Sequence, residues 1–263
     1  MKHIKSGFGY LTLIVLISIV LLHYGCNKTE ETENETPTVT VTDYDGNTYN
    51  TIKIGNQWWM AKNLKTTHYA NGAEITLVES ISGWDALGYD DKAYCYYNNN
   101  ENSEASTYGV LYTWAAAMNG AVSSYNNPSG VQGVCPSGWH LPSDNEWKEL
   151  EMYLGMSQAD TDDTGHRGTN EGSKLAGSSS LWFDGWLEND TAFGTYGFMA
   201  LPGGGRRYIG SFGHLGESAN FWSATEHNSS VSWGRHLYYN YSAVNRYSDI
   251  KADGFSVRCV KDN

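Results

Sequence analysis

Alternation of hydrophobic and polar positions begins near Val39 and predicts an opening β-hairpin. Residues 39–42 are rich in β-branched side chains, and residues 45–47 (DGN) supply a turn signal. Residues 49–54 and 57–60 again place β-branched and aromatic side chains at strand-like positions. We therefore predict paired strands at the start of the folded region.

Helical spacing occurs in two later segments and predicts two helices. The first lies between Ser106 and Asn119, where apolar residues recur every three or four positions. The second begins at Ser143, which forms a capping-box pattern with Glu146, and it ends at Gly155. The buried stripe of this second helix consists of Trp147, Leu150 and Leu154.

The remaining chain predicts short strands and long connections. Residues 155–220 are rich in Gly, Ser, Asn and Asp, which favours long loops with short strands. Alternating runs return at residues 221–224, 231–238 and 254–260 and predict the strands that close the domain. Two helices among short strands indicate an α+β fold.

The N-terminus has the pattern of an exported, lipid-anchored protein. Lys2 and Lys5 precede an apolar stretch that is too short for a comfortable membrane span, so residues 1–25 are interpreted as a signal peptide. Residues 22–26 (LHYGC) resemble the lipobox of bacterial lipoproteins, which predicts lipidation of Cys26, although His23 stands where Leu is usual. The alternative is an ordinary secretory leader with an incidental cysteine.

Residues 26–38 are polar and acidic and predict a flexible tether. Acidic residues directly after the lipidated cysteine resemble the export signal of surface lipoproteins in the Bacteroidetes. The expected location is therefore the outer membrane, with the domain displayed at the cell surface and the membrane contacted through the lipid anchor. Residues 39–263 form the expected single domain.

Charge and composition narrow the class of partner. Aromatic residues make up 14% of the chain, including 19 Tyr and 10 Trp, which is typical of a folded domain rather than a disordered one. The formal net charge is −12, and removing a leader that holds two lysines and no acids makes it −14. This acidity argues against nucleic acid as a partner, because phosphate binding draws its affinity from Lys and Arg.

Five ordered strings resemble the Fibrobacter succinogenes major paralogous domain over roughly residues 39–262. They are residues 58–64 (WWMAKNL), 108–112 (YGVLY), 133–142 (GVCPSGWHLP), 221–225 (FWSAT) and 257–262 (VRCVKD). That family is similar in organisation to C-type lectin-like domains, so the resemblance implies an α+β fold of two helices with small antiparallel sheets and a long loop region. It also implies a disulfide between Cys135 and Cys259, which an oxidising compartment permits, and leaves Cys95 as a buried free thiol.

A metal site and an aromatic platform are the two binding hypotheses that the residues suggest. Asp160, Asp162, Thr164 and Glu171 have the spacing of a calcium loop, but the flanking residues favour a solvated acidic loop instead. The C-terminal half also offers aromatic rings that could stack on a sugar, with core packing as the alternative. These rings are Trp182, Trp186, Tyr208, Phe212 and Trp233.

Catalytic motifs are lacking, since no HExxH, GxSxG or CxxC pattern occurs. Residues 203–207 (GGGRR) could cradle an anion or simply form a tight turn. We therefore expect a non-catalytic binding domain without a cofactor, whose ligand is a glycan or an extracellular protein. An envelope structural or adhesive component and a polysaccharide-acting enzyme are the alternatives.

Overall fold

The computed structural model describes residues 39–262, and most of its regular structure is β-strand. Fourteen strands in this range form three sheets. None of the helices in this range is long and apolar enough to cross a membrane. The predicted signal peptide, the lipidation site Cys26 and the tether lie outside the described residues.

The first sheet joins the two ends of the domain. Its five strands follow the order β1-β2-β3-β14-β7. The predicted opening hairpin is confirmed, because β1 pairs with β2 and β2 pairs with β3, all antiparallel. The five strands are β1 (Thr40–Thr42), β2 (Thr48–Ile54), β3 (Gln57–Met60), β7 (Trp139–His140) and β14 (Val260–Lys261).

The largest sheet has six strands in the order β10-β9-β11-β12-β13-β8. All of its pairs are antiparallel except β9 with β11. A separate three-stranded sheet has the order β4-β5-β6. The six strands of the large sheet are β8 (Gly165–Arg167), β9 (Gly203–Arg206), β10 (Phe212–Leu215), β11 (Ser218–Glu226), β12 (Val231–Tyr238) and β13 (Tyr241–Ile250); the three of the small sheet are β4 (Thr76–Leu77), β5 (Ala93–Cys95) and β6 (Leu111–Tyr112).

Seven short α-helices connect the strands of the described region. The predicted second helix is confirmed as α4, whose N-terminus has the full capping box between Ser143 and Glu146. It has ten residues, and each of the other six has four or five. The helices are α1 (Ile81–Asp85), α2 (Glu104–Tyr108), α3 (Trp114–Met118), α4 (Asp144–Tyr153), α5 (Gln158–Asp162), α6 (Glu171–Leu175) and α7 (Trp186–Asn189), with 3-10 turns at Tyr97–Asn99 and Ser179–Leu181.

The predicted helix between Ser106 and Asn119 is wrong as one element, because the chain forms α2, β6 and α3 there. Gly109 ends α2 with a φ of +82°, and a Cβ at this position would lie 2.7 Å from the carbonyl oxygen of Leu64. The backbone then extends into β6, and Thr113 restarts a helix by capping α3. The apolar spacing was therefore produced by three elements that each face the core.

The α+β, C-type lectin-like expectation of two helices, small antiparallel sheets and a long loop region is also wrong. The domain is mainly β, and its six-stranded sheet is built largely from residues 165–250. The glycine-rich segment that predicted loops contributes β8, β9, β10 and the start of β11 to this sheet. Turn residues in this segment separate short strands that pair with distant partners, so local composition concealed the sheet.

A buried cluster of charged side chains fastens α4 to the six-stranded sheet. Arg235 of β12 donates to Glu151 Oε1 at 2.7 Å and to Asp144 Oδ1 at 2.8 Å. Arg246 of β13 donates to both carboxylate oxygens of Asp144, and Arg167 of β8 donates to Glu151 Oε2 at 2.6 Å. All five side chains are nearly inaccessible to solvent.

The predicted disulfide between Cys135 and Cys259 is confirmed, with Cα atoms 6.0 Å apart. It joins the segment ahead of α4 to the residue before β14. Cys95 is free and buried, as expected, and packs in a small core cluster with Trp84 and Tyr97. Burial raises the pKa of the Cys95 thiol to about 12, so it stays protonated and unreactive.

Candidate functional site

The six-stranded sheet has one face in the core and one face with polar side chains. Along β12, Arg235 and Leu237 point to the interior, where Arg235 meets α4 and Leu237 joins the core. Because side chains alternate along a strand, His236 and Tyr238 lie on the opposite face. Strand register places Asn220 of β11 and Asn245 of β13 on either side of His236 on that face.

A cavity of about 190 Å³ opens on this polar face. It is bounded by β9, β10, β11, β12 and β13 and by the turns after β9 and β13. Both acidic and basic side chains reach it, together with aromatic rings and an amide. The lining residues are Gly205, Arg206, Arg207, His214, Ser218, Asn220, His236, Tyr238, Asp249, Asp253 and Phe255.

His236 is fixed between two partners at the centre of this lining. Asn220 donates its Nδ2 to the carbonyl oxygen of Gly204 at 2.8 Å, which leaves its Oδ1 to accept from His236 Nδ1 at 2.9 Å. On the other side, His236 Nε2 lies 2.9 Å from Asp249 Oδ2. The imidazole ring is therefore held in one orientation before any ligand arrives.

Gly234 makes room for the contact between His236 and Asp249. A Cβ at Gly234 would lie 2.7 Å from Asp249 Oδ2 and 3.0 Å from His236 Nε2. The hydrogen bond between the two side chains therefore passes directly over this glycine. Any larger residue at this position would push the pair apart.

Asp253 adds a second carboxylate to the cavity. Its Oδ1 accepts from the backbone N–H of Tyr208 at 2.7 Å. Burial, with a further contribution from the nearby Asp249, raises the pKa of Asp253 to about 7. A carboxyl group that is half protonated at neutral pH can either donate or accept a hydrogen bond.

The two arginines of residues 203–207 have different roles. Gly203–Arg206 is strand β9 rather than a tight turn or an open anion cradle. Arg206 is fully buried, and its guanidinium donates to the carbonyl oxygens of Val78, Glu79 and Ser80. Arg207 follows the strand and also lines the cavity, where its charge opposes the rise in the pKa of Asp253.

The five aromatic residues proposed for stacking do not form one platform. Trp182 is buried and donates its Nε1 to the carbonyl oxygen of Gly177, so it belongs to the core. Trp233 is also buried, with the guanidinium of Arg246 3.6 Å from its ring centroid. Phe212 packs against Tyr97 and Arg206.

The other two rings are exposed. Trp186 of α7 is 70% exposed, and Tyr208, beside Asp253, is 41% exposed. The core-packing alternative therefore holds for Trp182 and Trp233, whereas Trp186 and Tyr208 have ring surface that a ligand could reach. Trp186 lies against Tyr241 of β13, with ring centroids 6.2 Å apart.

The residues of the calcium hypothesis are engaged with other partners. Asp160 accepts from Ser157, Asp162 pairs with Lys148 at 2.7 Å, and Glu171 accepts from the backbone N–H of Thr169. Thr164 lies between α5 and β8 and not in a loop that wraps a cation. Within residues 39–262, no three His, Cys, Asp or Glu side chains are grouped to hold a metal ion.

Fold and site together define a mainly β domain with a polar cavity on a sheet face. The model of the Fibrobacter succinogenes major domain matches residues 52–261, so the chain belongs to this family. The family resemblance seen in the sequence is thereby confirmed, whereas its C-type lectin-like part is not. Comparison with curated proteins and with solved structures gives no match.

Sequence reasoning missed the central residues of the cavity. Asn220, His236 and Asp249 are separated by 16 and 13 positions and meet only through strand register. The available signal was the alternation in β12, where Gly234, His236 and Tyr238 occupy one face. A glycine two positions before a histidine, on the polar face of one strand, is a pattern that could have indicated the site.

Proposed function

We propose that this protein is an outer-membrane lipoprotein, displayed at the cell surface, whose domain binds a glycan without transforming it. The cavity on the six-stranded sheet is the proposed binding site. The observation that carries the proposal is the clamped arrangement of Asn220, His236 and Asp249, which offers fixed polar atoms beside aromatic surface.

The chemistry of the cavity suits a polyhydroxylated ligand. Asp249 uses one carboxylate oxygen for His236 and keeps the other, and Asp253 likewise uses one oxygen for a backbone N–H. Arg207 adds donors, and Phe255 and Tyr238 add ring surface. A sugar ring presents hydroxyls at its edge and C–H groups on its face, so both kinds of lining have a partner.

One specific observation favours the enzyme alternative. Asp249 and Asp253 share the cavity, and the raised pKa of Asp253 resembles that of a general acid. We nevertheless propose binding alone, because Asp249, the other carboxylate of the lining, is already paired with His236 and is not free to act as the nucleophile or base that would complement Asp253. Release of reducing sugar from any polysaccharide, abolished by Asp253→Asn, would replace binding with hydrolysis.

Binding is tested with the full chain purified in detergent and applied to a glycan array. We expect the protein to be retained by at least one glycan of the array. Asp249→Asn and Gly234→Ala should weaken that binding at least tenfold. Asp162→Asn is the matched control, since Asp162 is an exposed acid paired with Lys148 beside α4, away from the cavity. Retention of an extracellular protein but of no glycan would favour the protein-ligand alternative, and binding of neither would favour a structural role in the envelope.

Anchoring rests on the sequence of the leader and is tested separately. Residues 1–25 carry the features of a signal peptide, and Cys26 is the residue that would receive lipid. We expect Cys26→Ser to move the protein from the membrane fraction to the soluble fraction. If the variant still sediments fully with membranes, the lipoprotein assignment is wrong.

A further inference from the structure

A continuous row of aromatic rings leads from an exposed helix into the cavity. Beginning outside, Trp186 of α7 meets Tyr241, Tyr241 stacks on His166 at 3.7 Å between ring centroids, and His166 meets Tyr238 at 5.5 Å. Tyr238 lies 6.1 Å from His236, which occupies the cavity. We call these five residues the aromatic row.

The outer three rings of the aromatic row are exposed to solvent and the inner two are less accessible. Trp186 is 70% exposed and Tyr241 38% exposed, His166 is also exposed, Tyr238 is half-buried and His236 is buried. Burial, together with the nearby His236, lowers the pKa of His166, so its ring is uncharged at neutral pH. The outer part of the row is therefore an uncharged, accessible aromatic surface that continues into a polar cavity.

Polar atoms accompany the rings along the same sheet face. Strand register aligns His166 with Asn245 and Asn245 with His236. The Oδ1 atom of Asn245 is buried and has no hydrogen-bond partner in residues 39–262. Buried polar atoms are nearly always paired, so Asn245 Oδ1, which solvent does not reach, is an exception on this face of the sheet.

The surroundings of the row favour a glycan over a peptide. Extended peptides are commonly recognised by adding a strand to a free sheet edge. Strands β12 and β13, which carry three of the five rings, are each paired on both sides, and the edge strand β8, which carries His166, has only three residues to offer a peptide. Side-chain rings and side-chain polar groups are what remain for recognition.

We infer that the ligand is an oligosaccharide or polysaccharide chain, bound with one sugar in the cavity and further sugars along the aromatic row toward Trp186. This inference rests on the proposed function and extends it, because a row of five rings is longer than one sugar. The cavity fixes the inner sugar through hydrogen bonds, and the outer rings bind the following units by stacking.

The test uses the full chain in affinity electrophoresis through gels that contain one soluble polysaccharide each. The panel consists of mixed-linkage β-glucan, xylan, galactomannan, pectin and dextran. Fragments of one to six units, prepared from each polysaccharide that retards the protein, are then titrated by calorimetry. We expect affinity to rise with fragment length and then to level off.

Variants separate the row from the cavity. Trp186→Ala should reduce affinity for long fragments about 3- to 10-fold, the usual range for one aromatic contact, and leave single-sugar binding unchanged. Trp186 is largely exposed, so this variant should fold normally. Tyr44→Ala is the matched control, because Tyr44, in the turn of the opening hairpin, is also largely exposed (58%) and lies against one other ring, that of His68, as Trp186 lies against Tyr241.

The outcomes distinguish this inference from the proposed function. Loss of affinity for every fragment length in Asp249→Asn, with loss for long fragments alone in Trp186→Ala, supports both. Equal affinity for one unit and six units, still dependent on Asp249, overturns the chain inference and leaves the cavity in place. Retardation by none of the five polysaccharides overturns the chain inference for this surface, and the glycan array then decides whether the cavity binds a sugar at all.

Discussion

Replacing Asp144 by Asn should remove much of the stability of the domain. Asp144 is 1% exposed at the start of α4 and receives hydrogen bonds from Arg235 and Arg246 at 2.8–2.9 Å. The substitution keeps the size of the side chain and removes its charge. Three buried guanidinium groups, on Arg167, Arg235 and Arg246, would then face the single carboxylate of Glu151.

The size of the effect follows from the cost of a buried unpaired charge. Breaking a buried ion pair by removing one partner costs about 3–5 kcal/mol, and typical domains have a free energy of unfolding of about 5–15 kcal/mol. Although burial alone would raise it, the pKa of Asp144 is held below its usual value by Arg235 and Arg246. Its contribution is therefore fully present above pH 3.8 and is lost as the pH falls through the folded-state pKa.

Urea unfolding at pH 7, followed by tryptophan fluorescence, measures this loss. The control is Asp162→Asn, because Asp162 is 59% exposed and its pair with Lys148 should contribute at most about 1 kcal/mol. The difference between wild type and Asp144→Asn should also shrink as the pH is lowered below 3.8. If Asp144→Asn is no more destabilising than Asp162→Asn, the cluster does not fasten α4 to the sheet as described.

Two further predictions concern the disulfide and the cavity. The double variant Cys135→Ala/Cys259→Ala should lower the free energy of unfolding by about 4 to 5 kcal/mol, since the cysteines are 124 positions apart; an unchanged urea midpoint would contradict this. The wild type should lose stability between pH 4 and pH 7, because over this range the Asp253 carboxyl group ionises readily in the unfolded chain but not in its buried site in the folded one. Asp253→Asn should remove this loss. That loss should amount to about 4 kcal/mol at most, and parallel pH profiles for the two proteins would refute it.

Local signals predicted those elements whose residues are neighbours in sequence. The capping box of α4 needs only Ser143 and Glu146, three positions apart, and the opening hairpin needs only one turn and its flanking strands. Such features were predictable because short-range hydrogen bonds determine them. The disulfide was also predicted, although the C-type lectin-like fold that suggested it was wrong.

Features that depend on distant partners were not predictable in this way. Strand β13, with ten residues the longest in the described region, mixes polar and apolar positions because one face meets Asp144 through Arg246 while the other carries Asn245 and Asp249. Its residue types are explained by contacts with α4 and β8, which lie about 100 and about 80 positions earlier in the sequence. The cavity was missed for the same reason, since its lining comes from five strands and two turns.

The position of β14 has a consequence for how the protein is made. Val260 pairs with Trp59, about 200 residues earlier, and also with His140, so this short strand fills the gap between two parts of the five-stranded sheet. Contacts between such distant residues slow folding, because a long loop must close before they form. The same last residues bring Cys259 to Cys135. Under the proposed export, a polypeptide that crosses the membrane amino end first would therefore travel with this sheet open, and the sheet would close only after β14 had followed.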